Sequence, residues 1–340
     1  MSLSRYNFPI EMTRQKTIMA ARMAIGTIIS FIITTYFTLV EPTWVYISLF
    51  IILFEQHTIG ASLTRCSMRA FATISSALYS LIIIFLFHNN YLMNLIGFVV
   101  GIFLYTYLFL GTKKSYIGIL GCVTLAICLI NYNNFSYVFI RPTNVIIGIL
   151  IGFFTLRFFF PSRATKMLIL EMQEFLAEYA TLSIYLANID DSTTDLPERL
   201  TQCESNILAL IPHFQTLISE TRVEIGKDSG FTQVAADILQ SFRHIFRYYA
   251  SIIALILYKG VILNEKDREH FIFLSNAMIQ LKENLSYLKH TRNLVAAPDL
   301  MPQKDENLLS LMLSLLVTEC SSLEIKINKL IRMAKVVKLE

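Results

Sequence analysis

Cations set in an apolar, almost acid-free half are the residues of this chain best placed to do chemistry. Arg65, Arg69, Lys113, Lys114 and Arg141 fall within or beside apolar segments. A cation there attracts an anion and replaces part of its hydration shell. Lys113 and Lys114 also fit a plainer role, as basic residues at a membrane edge reaching toward lipid phosphates. Arg141 has no such role. It opens the last apolar run, on the side whose other loops carry no Lys or Arg, so either a direct part in an anion pathway or a helix-positioning contact is expected of it. Trp44, the one tryptophan, joins this group as an interfacial anchor at the start of the second apolar run. Glu55 is the carboxylate closest to the apolar interior, a proton carrier or an ion-pair partner for Arg65 or Arg69.

Other chemistries lack their residues. The chain contains no Walker loop, GxSxG elbow or HExxH helix. His213, His244, His270 and His290 fall on separate segments of the second half, and the five cysteines show no CxxC or CxH spacing. No catalysis, metal centre or cofactor is expected.

Composition says what must hold these cations. Hydrophobic residues make up 54% of the 340 residues and charged residues 16%, against about a quarter charged in soluble domains. Residues 1–170 hold twelve Lys/Arg and three Asp/Glu (Glu11, Glu41, Glu55), whereas 171–340 hold seventeen and twenty-two. No Asp or Glu occurs between Glu55 and Glu171, the pattern of a segment in hydrocarbon, where carboxylates are costly. The pI of about 8.7 averages two unlike halves and does not point to nucleic acid.

Six apolar runs of about spanning length follow one another, near 17–40, 43–60, 69–87, 91–110, 115–131 and 137–160. The second is short and must continue through Glu55, Gln56 and His57 to cross. Arg5, Arg14 and Lys16 precede the first run, Arg65 and Arg69 lie between the second and third, Lys113 and Lys114 follow the fourth, and Arg163 and Lys166 follow the sixth. The alternate loops carry no Lys or Arg. By the positive-inside rule both termini are cytoplasmic. Gly97-xxx-Gly101 and Gly148-xxx-Gly152 place small residues on one helix face each, allowing close approach. Beyond residue 162 ordinary charge density returns, with five helices near 163–190, 196–226, 230–262, 265–293 and 304–338. Tyr248–Tyr258 and Leu308–Val317 are too short to span and read as buried core. The expected fold is all-α: a transmembrane domain of six helices over 1–162 and a cytoplasmic helical-bundle domain over 163–340.

Trp44-Val-Tyr-Ile-Ser, then Gln56 and Gly60, then Arg69-Ala-Phe-Ala-Thr73-Ile-Ser-Ser76 together resemble the fusaric acid resistance and aromatic acid exporter superfamily. In that family a Trp-led span, a Gln and a Gly precede an R-x-x-G-T-x-x-G helix start. Ala72 and Ser76 stand here in place of its two glycines. Arg141, Gly148, Gly152 and Pro161 are similar to the Arg, glycines and terminal Pro of the family's last membrane helix. The resemblance covers about residues 10–165 and extends, more distantly, to plant aluminium-activated malate channels. It implies a bacterial inner-membrane exporter of organic anions such as aromatic carboxylic acids, working in efflux or resistance as a homodimer. Two other readings stand beside it. One is a passive anion channel, favoured by the shortage of proton-carrying acids; the other is a membrane-anchored regulatory protein whose acidic tail binds a partner.

Overall fold

A computed structural model of the chain describes residues 7–55, 58–87, 90–112, 114–130, 136–159, 161–189, 196–226, 229–259, 261–288 and 308–336. Among them are eleven α-helices and no strand. The chain divides into two compact units, Met1–Ser162 and Arg163–Glu340. The first unit contains α1 (Asn7–Tyr36), α2 (Thr43–Glu55), α3 (Ile59–Phe87), α4 (Tyr91–Phe109), α5 (Ser115–Ile130) and α6 (Ser136–Phe158). The second contains α7 (Ala164–Ala187), α8 (Leu196–Ile225), α9 (Gly230–Lys259), α10 (Glu265–Ser286) and α11 (Leu308–Val336).

The first unit is apolar outside and partly polar inside. On α3 the buried face carries Ser62, Cys66, Arg69, Thr73, Ser76 and Ser80, while Phe71, Ile74, Leu78, Ile82 and Phe85 are exposed. Both sets recur every three or four residues, as two faces of one helix must. Water would reverse that preference; hydrocarbon selects it, because lipid tails solvate Phe and Leu and no water is there to pair a hydroxyl. The buried hydroxyls satisfy themselves on their own helix: Ser62 donates to the Thr58 carbonyl, Ser80 to that of Ser76 and Thr124 to that of Leu120, each at 2.9 Å. The second unit has the ordinary arrangement, with Phe175, Tyr179, Phe214, Phe242 and Tyr249 packed as one aromatic core.

Helix lengths differ from the apolar runs in an informative way. Lys16–Tyr36, Ile59–Phe87, Tyr91–Phe109 and Val138–Phe158 are long and apolar enough to cross a membrane. α2, with 13 residues, and α5, with 16, rise only about 20 and 24 Å at 1.5 Å per residue, short of a hydrocarbon core about 30 Å thick. The expected continuation of the second run passes through Gln56 and His57, which lie outside the described residues. α2 is described as far as Glu55, and Thr58 starts α3 by accepting the Ala61 N–H on its hydroxyl at 3.1 Å. α3 therefore begins ten residues earlier than the expected 69, and Arg65 and Arg69 belong to a helix rather than to a loop.

α11 falls within the helix expected near 304–338 and carries the apolar stretch Leu308–Val317 in its first half. Together with its polar C-terminal half it forms one 29-residue helix, long and apolar enough to cross by length and composition. Its apolar side is nevertheless spent within the second unit. Leu309, Leu313, Leu316, Leu323, Ile327 and Leu330 are buried there, and α9 is its main neighbour.

Glycines set the closest approaches in the first unit. A Cβ on Gly148 would lie 2.4 Å from the Val45 carbonyl oxygen and 2.7 Å from the Ser48 Cβ. α6 therefore rests against the backbone of α2. Gly97 and Gly101 of α4 face the side chains of Ile83 and Tyr79 of α3, and the Tyr79 hydroxyl donates to the Gly97 carbonyl at 2.8 Å.

A candidate anion site on one face of a short helix

α2 presents Trp44 and Ser48, one helical turn apart, toward α3, α5 and α6. Each holds a buried arginine. The Arg141 guanidinium of α6 lies over the Trp44 ring with Cζ 3.9 Å from its centroid. The Arg69 Nε of α3 donates to the Ser48 hydroxyl at 3.3 Å, and its Nη1 donates to the Tyr116 hydroxyl of α5 at 3.4 Å. Arg65, one turn before Arg69, places its guanidinium 4.5 Å from the Tyr116 ring centroid. Three cations thus stand in series along the bundle, joined through one tyrosine and one face of α2.

Local sequence explains the placement. Trp44 follows a turn in which Thr38 and Glu41 adopt positive φ, 44° and 55°, a conformation uncommon outside glycine. Asn144 of α6 holds this turn by donating to the carbonyls of Val40, at 2.7 Å, and Glu41, at 3.0 Å. The Ser48 hydroxyl is fixed in turn by its bond to the Trp44 carbonyl at 2.8 Å. Arg141 precedes Pro142 near the start of α6.

The electrostatics of the pair are unusual. Arg69 and Arg141 are each 4% exposed, and among the described residues neither is within ion-pair distance of a carboxylate. Their partners are rings, hydroxyls and one carbonyl, that of Val123, which accepts from Arg141 Nη1 at 3.4 Å. Arg141 Nε is buried without any hydrogen-bond partner. Cation–π contact stabilises a desolvated guanidinium by about 2 kcal/mol but does not neutralise it. An incoming carboxylate would supply both the missing charge and an acceptor for the unpaired Nε of Arg141.

Among the residues singled out in the sequence, Trp44, Arg65, Arg69 and Arg141 come together. Lys114 is exposed on the connection between α4 and α5. Lys113 and the Glu55 side chain lie outside the described residues. Arg22 is buried elsewhere in the unit and works as a tie. Its Nε donates to the Phe159 carbonyl at 3.1 Å and its Nη2 to the Ser162 hydroxyl at 2.7 Å, fastening α1 to the segment after α6. Ser48, Tyr116 and Asn144 were not singled out. Ser48 stands four residues after Trp44, a spacing that shares its helix face; nothing local marks Tyr116 or Asn144. Among the described residues no group of His, Cys, Asp and Glu is arranged to hold a metal ion.

The sequence model of the family described as fusaric acid resistance protein-like matches residues 25–155, a stretch that contains all the residues of this site. Among curated proteins no relative matches the chain. Proteins of this family are membrane transporters rather than enzymes. The match and the run of apolar helices together identify a multi-pass membrane protein.

Proposed function

Taking residues 25–155 as a fusaric acid resistance protein-like module, we propose that the chain exports organic anions, aromatic carboxylates in particular, across the bacterial inner membrane in an efflux or resistance role. The observation that carries this reading is the pair of buried arginines on one face of α2, both held by neutral groups alone. A buried charge left without a counter-charge is a strong attractor for a mobile ion of opposite sign. The carboxylate of the substrate docks on the unpaired Nε of Arg141 and passes to Arg69 and Arg65 or in the reverse order. Its aromatic body lies beside the Trp44 and Tyr116 rings, which already accept planar cations on their faces. Closely packed helices around the arginines suit a carrier between its two openings better than an open pore. In this reading both termini and the second unit are cytoplasmic, and the transporter is a homodimer, as the resemblance implies.

Flux of radiolabelled benzoate in proteoliposomes tests the reading, with and without a pH gradient. Arg69→Gln and Arg141→Gln are each expected to lower flux at least tenfold while the protein remains folded and correctly inserted. Full flux in both variants would remove the arginines from the pathway. A steady benzoate current at fixed voltage with no proton gradient would replace the carrier with a channel. No flux of any anion, together with a soluble partner retained by the purified chain, would favour a regulatory membrane protein.

A further inference from the structure

The second unit contains a cleft of about 510 Å³ between α8 and α9, within the range of small-molecule sites. Its apolar surface comes from Ile218 and Leu239, both buried, with Ala236 beside them. Its polar heads are all neutral or basic. Arg243 and Arg247 stand one turn apart on α9 with His244 next to them, and Gln215 and Gln240 complete the lining. No acid lines the cleft, although acids outnumber bases in this half of the chain.

The basic groups are partly pre-arranged and partly unused. His244 Nδ1 is 3.6 Å from the Glu319 carboxylate of α11. Glu319 is also 3.9 Å from Lys326 Nζ, which donates to the Ser241 hydroxyl of α9 at 2.6 Å. The Glu319 carboxylate is therefore already shared between two basic side chains. Among the described residues the guanidiniums of Arg243 and Arg247 have no ion pair or hydrogen bond to protein. At this spacing the two Cβ atoms are about 6 Å apart, close enough for both flexible side chains to bring their planar forks to one carboxylate or phosphate.

We propose that this cleft binds a small organic anion, its carboxylate or phosphate between Arg243 and Arg247 and its apolar body on Ile218 and Leu239. The second unit is then a ligand-sensing domain. This assignment does not depend on what the first unit transports.

Binding of 4-fluorobenzoate and 4-fluorophenyl phosphate to the purified full chain, followed by fluorine NMR line broadening, tests it. Neutral 4-fluorobenzyl alcohol serves as the uncharged comparison. The doubly substituted Arg243→Gln/Arg247→Gln chain should bind at least one of the two anions tenfold more weakly than the parent. A chain carrying Arg69→Gln and Arg141→Gln should retain that binding. Gln240→Glu, which adds a negative charge at an exposed position and removes no packing, should weaken it comparably and serves if the double variant does not fold. Unchanged binding of both anions in the cleft variants would overturn the proposal. So would binding lost only in the Arg69/Arg141 variant, or equal binding of the alcohol. The first of these would leave the transport reading intact, and the second would strengthen it.

Discussion

Substituting Gly148 by alanine tests whether helix packing and the arginine site are one construction. The new Cβ would stand 2.4 Å from the Val45 carbonyl oxygen and 2.7 Å from the Ser48 Cβ, where ordinary contact begins at 3.4 Å. Both obstacles are fixed to the backbone of α2, so no side chain can rotate away. α2 and α6 must part by about 1 Å, and overpacking of this kind costs about 1–3 kcal/mol. The displacement falls on the segment that holds the site. Arg69 Nε already lies 3.3 Å from Ser48, and a further ~1 Å would take it beyond hydrogen-bond reach. The Arg141–Trp44 stack at 3.9 Å loosens with it. Two measurements on detergent-purified protein follow these effects separately. The melting temperature of the first unit should fall by several degrees. The emission of Trp44, the sole tryptophan, should shift as the guanidinium leaves its face. Benzoate flux should fall in parallel. Gly152→Ala is the comparison, because its Cβ meets only the Ile52 side chain, at 3.3 Å, and its effect should be smaller in every readout. An unchanged melting temperature and emission in Gly148→Ala would refute the close approach of α6 to α2 and the coupling drawn from it.

Two further outcomes concern charge elsewhere in the chain. Replacing Arg22 by methionine leaves the Phe159 carbonyl and the Ser162 hydroxyl without their donor, which should destabilise the first unit by about 1–3 kcal/mol, read as lower thermal stability in detergent without a change in Trp44 emission. In the second unit, burial pushes the Glu171 carboxyl up, while the His213 imidazole, its Nδ1 2.9 Å from Glu171 Oε1, holds it partly down. A carboxyl raised by the fold binds its proton more tightly in the folded state. Its contribution is therefore most favourable at acid pH and is lost as pH rises from the ordinary carboxylate range through the raised value. Glu171→Gln should accordingly melt above the parent at about pH 7 and lose that lead near pH 4; a lead independent of pH would contradict the assignment.

Composition alone marks the first half as a membrane segment, because lipid excludes carboxylates whatever the helix packing, and the acid-free stretch from Gln56 to Leu170 records that exclusion directly. Apolar stripes at ordinary charge density mark the helices of the second unit, and cations set among apolar residues single out Arg69 and Arg141. Periodicity worked less well at residues 56–69. There the polar run from Arg65 to Arg69 reads as a loop, since hydropathy averages over faces, whereas a helix in a bundle can turn its polar face inward. Only tertiary structure shows that α3 starts at Ile59 and buries Arg69.

What sequence could not supply at all is the meeting of the arginines. Trp44, Arg69, Tyr116 and Arg141 come from four helices, and only the packing of those helices brings them onto one face of α2. The absence of acids could be counted in the sequence; that Arg69 and Arg141 are therefore held by neutral partners is a property of the fold. Residue types determine which solvent the first half can enter, through transfer energies that act residue by residue. Position determines which charges meet, because electrostatic contacts depend on distances that no local spacing along the chain encodes.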